Sequence, residues 1–154
     1  MLYYEFDSSK IQAENQKMIK ALVDLMEEYL KIDGVSIMLE DQNGEEIVIV
    51  VSAEKEKSEA ERKVGIAVKI GERVAGRAFQ NNEPILIVGD VSKDERFSGI
   101  KKYEEIYSGM SVPINKEERV IGVINAKRIH SEEPLTTDDM KFVEKVASVL
   151  GKNL

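Results

Sequence analysis

The sequence predicts an α+β domain, in which an antiparallel sheet carries the two terminal helices on one face and short helices and loops over the other. Three strand patterns follow one another between residues 35 and 70, and short turns or a charged stretch separate them. This arrangement favours antiparallel pairing over a doubly wound sheet. Amphipathic patterns at both ends of the chain can cover a single face of that sheet.

Composition limits what the chain can do. The 154 residues fit one domain, with residues 1–10 as an N-terminal tail and residues 11–150 as the core. A net charge of −7 argues against binding to nucleic acid or to anionic membranes. The sequence has no signal-peptide pattern and no apolar run long enough to span a bilayer, so we expect a cytoplasmic location.

The first helix is predicted over residues 8–31, with Ser8 or Ser9 as its N-cap and Gly34 closing it. Its apolar residues form two rows, which is more apolar surface than one core face needs. Either the helix has one wide core-facing stripe, or one row packs on the sheet and the other contacts a second subunit. The row assigned to a dimer contact is Met18, Leu22, Leu25 and Tyr29.

The strand patterns cover residues 35–40, 47–51, 64–70, 85–88, 110–114 and 119–128. Asn43-Gly44 predicts a hairpin turn between the first two. The β-branched run at 47–51 indicates a strand that is covered on both faces. Thr136 is expected to cap the last helix, and Gly151 to end it.

Gly71 and Gly76 have the spacing of a phosphate-binding loop, but the lysine and the hydroxyl residue that hold phosphate and magnesium are absent. We therefore expect Gly71 to make a tight turn and Gly76 to let a short helix approach the sheet closely. This helix contains Val74 and Ala75.

No catalytic or metal site is predicted. The chain has no cysteine, which excludes disulfides, thiolate nucleophiles and cysteine-ligated metals. The single histidine, His130, lies among polar residues after a strand and is expected at the surface, with a lone haem ligand as the alternative. No nucleophile-elbow motif is present, and no cofactor is expected.

Candidate binding residues lie in the loop that follows strand 85–88, because loops on a rigid scaffold often carry binding groups. They are Asp90, Ser92, Arg96 and Phe97. Arg96 could hold a carboxylate or phosphate with two hydrogen bonds, or it could pair with Asp90 inside the loop.

Asn125 is a polar residue within an apolar strand. Alternation predicts Ile121, Val123 and Asn125 on one face, and Val120, Ile124 and Ala126 on the other. An asparagine that faces a cavity can donate to and accept from a ligand, and it can equally satisfy a backbone edge.

Together these segments resemble the GAF family, the small-ligand sensory module of signalling proteins, over residues 11–150. The matching pieces are Val74-Ala-Gly76, Glu83-Pro-Ile, the strand ending at Asp90, Asp94-Glu-Arg96-Phe97, Ser111-Val-Pro-Ile114, Val120-Ile-Gly-Val-Ile124 and Leu135-Thr-Thr-Asp-Asp139. The resemblance implies a GAF/PAS-like fold with a six-stranded antiparallel sheet, a ligand pocket under the middle helices and a homodimer formed by the terminal helices.

By position, the resemblance implies that the pocket residues are Val74, Ala75, Asp90, Ser92, Phe97, Ser111 and Asn125. Arg96 is added as a candidate from the composition of the loop after strand 85–88. Members that attach a bilin and members that reduce free methionine sulfoxide use cysteine, so the sequence departs from both groups. It only approximates the cyclic-nucleotide signature, at Asn125-Ala-Lys127, Leu135 and Asp138-Asp139.

The expected function is that of a regulatory domain rather than an enzyme. It would bind a small metabolite and transmit the signal through dimer packing to a kinase, cyclase, phosphodiesterase or transcription activator. The alternative is a ligand-free dimerisation module whose pocket is filled by its own side chains. Those side chains are Met38, Phe79, Phe97, Tyr103 and Met110.

Overall fold

A computed structural model describes residues 1–89, 94, 108–129 and 133–154, which form seven strands and four helices. In chain order these are β1 (Tyr3–Phe6), α1 (Ala13–Leu30), β2 (Gly34–Glu40), β3 (Glu46–Glu54), α2 (Lys57–Lys63), β4 (Ala67–Lys69), α3 (Arg73–Asn81), β5 (Ile85–Val88), β6 (Ser108–Lys116), β7 (Arg119–Arg128) and α4 (Thr137–Asn153). Every strand pair is antiparallel, in the order β1-β3-β2-β7-β6-β5, and β4 pairs with the remaining part of the β3 edge. The α+β class and the antiparallel sheet are confirmed.

The sheet has a seventh strand in place of the expected N-terminal tail. Residues Tyr3–Phe6 form β1 and pair with residues 51–54 of β3, while β4 pairs with residues 46–48 of the same strand. Leu2 and Ile11, on either side of β1, are buried in the main core. A four-residue strand is too short for its alternation to stand out in the sequence.

The predicted start of α1 and the predicted role of Gly34 were wrong. The helix begins at Ala13, and its N-cap, Gln12, makes no side-chain capping bond. The hydroxyl and the amide of Ser9 donate instead to the carboxylate of Asp7, in the turn before the helix. The helix ends at Leu30, one residue before the predicted end, its C-cap Lys31 has a left-handed backbone conformation, and Gly34 is the first residue of β2.

The two apolar rows of α1 face different surroundings. The row Ile19, Val23, Met26 and Leu30 is buried against the sheet. Met18 and Leu22 are partly buried, whereas Leu25 and Tyr29 are 43% and 66% exposed.

Helix α4 lies antiparallel beside α1, and both cover the same face of the sheet. The side-chain amide of Asn15 donates to the carbonyl of Asn153, and the rings of Tyr29 and Phe142 lie 6.0 Å apart. Thr136 caps α4 as predicted, and its hydroxyl accepts from the amide of Asp139.

Gly151 does not end the helix. A Cβ there would lie 1.9 Å from the carbonyl oxygen of Asn115, so this glycine allows α4 to approach β6.

On the opposite face, α3 covers a second apolar cluster. Its buried members are Met38, Ile47, Ile49, Phe79 and Val123. The predicted roles of Gly71 and Gly76 are confirmed, since Gly71 has φ +91 and a Cβ at Gly76 would lie 2.5 Å from the carbonyl oxygen of Lys69. Met110 packs in the main core on the α1 and α4 side, so it fills no pocket on the α3 side. No helix in the described part of the chain is long and apolar enough to cross a membrane.

Candidate functional site

A row of polar side chains crosses the sheet on the face opposite α1 and α4. Ser52, Ser36, Asn125 and Ser111 lie directly opposite one another on β3, β2, β7 and β6. Directly opposed residues of antiparallel strands place their side chains on the same face. We call these four residues the polar floor.

Asn125 and Val123 share this face, as predicted, and Ile124 and Ala126 pack in the core beneath α1 and α4. The predicted faces of Ile121 and Val120 were wrong, because each side chain lies on the opposite face of the sheet from the one predicted. Ile121 packs against the main core, and Val120 packs against the cluster under α3. The β6–β7 pairing shifts at this point and leaves Ile121 as an extra residue, and such a bulge reverses the alternation of faces.

The amide of Asn125 is held from both sides. The hydroxyl of Ser111 donates to Asn125 Oδ1 at 2.6 Å, and Asn125 Nδ2 donates to the hydroxyl oxygen of Ser36 at 3.1 Å. Asn125 therefore bonds to side chains on the two neighbouring strands rather than to a backbone edge. Further along the row, Ser52 is fully buried, and its hydroxyl has no hydrogen-bond partner in the part of the chain that the structure describes.

The centre of the polar floor is open to solvent. β2 and β7 are inner strands of the sheet, yet Ser36 and Asn125 are both partly exposed. Val123, two residues from Asn125 on the same face, is fully buried in the cluster under α3. Solvent thus reaches the polar groups of the floor two residues along β7 from the cluster under α3.

A second row on the same face contains buried charges. Glu54, Gly34 and Lys127 lie opposite one another on β3, β2 and β7. Lys127 Nζ donates to Glu54 Oε1 at 2.9 Å, and Lys63 Nζ from α2 lies 2.5 Å from the same oxygen. The three side chains are between 7% and 13% exposed. We call them the charge cluster.

The charge cluster explains Gly34. A Cβ at this position would lie 2.5 Å from both Glu54 Oε2 and Lys127 Cε. The ion pair therefore closes across β2 only because residue 34 has no side chain. No local pattern in the sequence indicates this cluster, since Glu54 and Lys127 are 73 residues apart and only the register of three strands brings them together. A glycine at the start of a strand was the one local signal.

Arg128, the residue after Lys127, reaches the opposite face. Its Nε donates to the carbonyl oxygen of Leu30 at the end of α1 at 3.1 Å, and its Nη2 donates to the same oxygen. Its Nη1 donates to the carbonyl oxygen of Glu133 at 2.9 Å. The end of β7 is thus joined to the charge cluster on one face and to the end of α1 on the other.

The structure brings together some of the predicted site residues. Ser111 and Asn125 are hydrogen-bonded neighbours. Val74 and Ala75 lie in the first turn of α3 and are partly buried, and Ala75 packs against the cluster under α3. The remaining predicted residues lie outside the described residues. They are Asp90, Ser92, Arg96, Phe97, Tyr103 and His130.

Two other kinds of site, a metal site and a surface groove, are less well supported in the described residues. No group of histidine, aspartate or glutamate side chains in the described ranges could hold a metal ion. An open groove runs between α4 and the end of β6, past Asn115, Ser148 and Gly151. Its polar lining side chains are exposed, so it lacks the buried polar groups that distinguish the floor.

The GAF domain family model matches residues 14–154 of the chain. A search of curated protein sequences found no match. Among solved structures, the GAF domain of an Acinetobacter phosphoenolpyruvate-protein phosphotransferase is similar, with a TM-score of 0.67 and 21% identity over 84% of this chain and 75% of that chain.

Two further structures have the same fold. A GAF domain region of a putative membrane protein from Geobacter sulfurreducens has a TM-score of 0.69 and 19% identity over 89% of this chain and 90% of that chain. A free methionine-R-sulfoxide reductase from Neisseria meningitidis, solved with its substrate, has a TM-score of 0.66 and 22% identity over 84% of this chain and 71% of that chain.

Proposed function

The chain belongs to the GAF domain family, and from this membership we propose that it is a regulatory sensory domain that binds a small metabolite on the polar floor. The observation that carries the proposal is that Asn125 is hydrogen-bonded on two sides and yet partly exposed. Both faces of the sheet carry apolar clusters, whereas Asn125 is hydrogen-bonded to side chains on both neighbouring strands and is still reached by solvent. A few fixed polar groups beside apolar side chains are typical of small-molecule binding sites.

The proposed signal passes along β7. The charge cluster lies directly beside the floor, and Arg128 connects the same strand to the carbonyl end of α1. A ligand that displaces the end of β7 would also change the position of α1 relative to α4. Such a ligand shifts the balance between two packings of the terminal helices by its difference in affinity for them. The proposed output is a kinase, a cyclase or phosphodiesterase, or a transcription activator.

We further propose that the terminal helices form a homodimer. Leu25, Tyr29 and Val149 are exposed apolar residues on the outward side of α1 and α4. Exposed charged side chains of both signs lie on each helix, such as Lys17 and Glu28 on α1 and Asp138 and Lys145 on α4. A two-fold copy packed on this side would bury the apolar residues inside a border of charges.

Catalysis is not part of the proposal. Some structural neighbours are free methionine-R-sulfoxide reductases, but this chain has no cysteine and therefore no thiol chemistry of its own. The polar floor consists of three hydroxyls and one amide, and within the described residues no hydroxyl of the floor is hydrogen-bonded to a base that would activate it as a nucleophile.

Native mass spectrometry of freshly purified protein tests the proposal. A non-covalent adduct of a few hundred daltons is expected on the folded chain and absent after denaturation. Asn125→Ala should lose the adduct and keep the fold, while Ser148→Ala, an exposed serine on α4, should retain it. An adduct-free protein that no metabolite stabilises in a thermal-shift screen would instead favour the ligand-free dimerisation module.

A further inference from the structure

Asn125 has hydrogen-bonding capacity that its neighbours do not use. A carboxamide offers two lone pairs on oxygen and two N–H groups on nitrogen. Within the described residues, the Asn125 side chain uses one lone pair for Ser111 and one N–H for Ser36. One lone pair and one N–H remain.

Geometry determines where the remaining groups point. Ser36 and Ser111 lie on the strands on either side of β7, directly opposite Asn125. A serine hydroxyl is one bond from its Cβ, whereas the amide atoms of asparagine are two bonds from theirs, so both hydroxyls lie nearer the sheet than the amide does. They therefore take the lone pair and the N–H on the sheet side. The remaining pair lies side by side at the outer edge of the amide, because sheet side chains stand roughly perpendicular to the sheet.

We propose that Asn125 recognises a cis-amide edge, meaning a ligand that presents C=O and N–H side by side, as a primary carboxamide or a lactam ring does. The ligand N–H would donate to Asn125 Oδ1, and the ligand carbonyl would accept from Asn125 Nδ2. Recognition of this kind rests on the function proposed above, since it requires the polar floor to be the ligand site.

Other head groups match this edge less well. A carboxylate presents only acceptors, so one of its oxygens would face the lone pair of Asn125 Oδ1. An amidinium presents only donors, and one of them would face the remaining N–H. A reversed amide would present the same edge, one N–H beside one lone pair, because each serine hydroxyl can either donate or accept. A polar group left unpaired in a site discriminates strongly between similar ligands.

Ser36 offers a ligand a further donor on this row. It is partly exposed, and its hydroxyl accepts from Asn125 and keeps its own proton. It lies on the side of the floor toward which Asn125 Nδ2 points, so a ligand whose carbonyl lies on this side can reach Ser36 with a further acceptor atom. The hydroxyl of Ser52, on the next strand, is fully buried and has no partner among the described residues, so it lies behind the surface that a ligand contacts.

Four benzene derivatives that differ only in the head group test the proposal, with dissociation constants measured by NMR titration of the full chain. Benzamide presents the cis-amide edge, N,N-dimethylbenzamide lacks the N–H, benzoate has only acceptors and benzamidine has only donors. Benzamide should bind at least about tenfold more tightly than the other three, as expected when one hydrogen bond is replaced by an unpaired polar group. The side-chain NH₂ resonances of Asn125 should shift with benzamide.

Asn125→Asp should invert this preference. Both serine hydroxyls can donate to a carboxylate, so the hydrogen bonds of the floor are kept, while the outer edge now has two acceptors. The variant should prefer benzamidine over benzamide. Should it fail to fold, Asn125→Ala provides a second test, because it removes the outer edge and should bind benzamide and N,N-dimethylbenzamide with equal affinity.

Equal affinity for benzamide and N,N-dimethylbenzamide, or an unchanged preference in Asn125→Asp, would overturn cis-amide recognition. So would a co-purified adduct without an amide edge, although that result would support the sensory function. An adduct that contains a carboxamide or lactam would support both. If none of the four compounds binds and no adduct is found, both proposals fail.

Discussion

Among individual residues, the one that matters most to the charge cluster is a glycine. Glu54 and Lys127 are nearly buried and pair across β2 over Gly34. A buried ion is stable only when an opposite charge lies close to it, and the two charges can approach each other here because residue 34 has no side chain between them. Gly34 also follows α1 closely, so the sequence pattern predicts that it ends the helix. A glycine that leaves room for an ion pair therefore looks, in the sequence, like a glycine that ends a helix.

Gly34→Ala should lower the free energy of unfolding by about 1–3 kcal/mol, the usual cost of forcing an extra methyl group into a packed site. Urea denaturation measures the effect. In a background that carries both Glu54→Ala and Lys127→Ala, the same substitution should cost little, because the atoms that the methyl group meets are gone. An equal cost in both backgrounds would mean that the backbone, and not the ion pair, requires glycine.

At the level of helices and strands, α1 is held at its end by Arg128 and along its side by β1. Helix ends leave carbonyl groups without partners, and the carbonyl of Leu30 obtains its partner from the guanidinium of Arg128. Along the side, the hydroxyl of Tyr4 in β1 donates to the carboxylate of Asp24 in α1. Contacts with β7 at the end of the helix and with β1 along its side therefore determine the position of α1.

Arg128→Ala should destabilise the domain by about 2–3 kcal/mol, because it leaves two carbonyl groups without their charged donor. Arg128→Lys should recover only part of the loss, since a single ammonium does not reproduce the planar guanidinium. Hydrogen exchange should accelerate in the last turn of α1. Arg119→Ala is the control, because Arg119 is 73% exposed and surface ion pairs contribute little. Equal effects of the two alanine variants would contradict this role of Arg128.

The contact between β1 and α1 should weaken in alkali. Burial raises the pKa of Tyr4 well above its usual range, and the hydrogen bond to Asp24 adds to the shift. The neutral phenol thus favours the folded state. Its contribution is complete below the ordinary tyrosine pKa of about 10 and declines as the pH rises above it.

The stability difference between the wild-type protein and Tyr4→Phe should therefore shrink between about pH 9 and about pH 11. Urea denaturation at several pH values measures it. Tyr3→Phe is the matched control, since Tyr3 is the exposed neighbour in the same strand. A difference that stays constant with pH would mean that the Tyr4 hydroxyl does not hold β1 to α1.

For the whole molecule, the surface proposed to join two copies is the outward side of α1 and α4, on the face away from the floor. Their inner rows bury the main core, and their outer side leaves Leu25, Tyr29 and Val149 exposed. Exposed apolar residues that lie together and are bordered by charges of both signs are typical of a protein interface. A dimer formed here would place the helices that end near Arg128 at the centre of the assembly.

Replacing both Leu25 and Tyr29 by glutamate should convert the proposed dimer to a folded monomer, because the new charges would have to lose their water at the interface. Analytical ultracentrifugation measures the mass, and circular dichroism checks the fold. Ile66→Glu is the control, since Ile66 is 39% exposed but lies outside the helices. A wild-type protein that is already monomeric would contradict the dimer.

Much of the candidate site was visible in the sequence as residue types and faces. Asn125 stood out as a polar residue in an apolar strand, and its predicted separation from Ile124 and Ala126 is confirmed. Its partners Ser36 and Ser111 were not visible as partners, because they come from strands 89 residues before it and 14 residues before it in the chain. The predicted ligand role of Asn125 and of Val74 and Ala75 remains a prediction.

The sequence alone determined the class of the fold and the Thr136 cap, because each depends on residues a few positions apart along the chain. The tertiary structure alone decided the seventh strand, the bulge at Ile121 and the charge cluster over Gly34. These depend on which strands pair and in which register, and a shift of one residue would turn every side chain of a strand to the other face. Local periodicity carries no information about that register when the pairing residues are far apart in the chain.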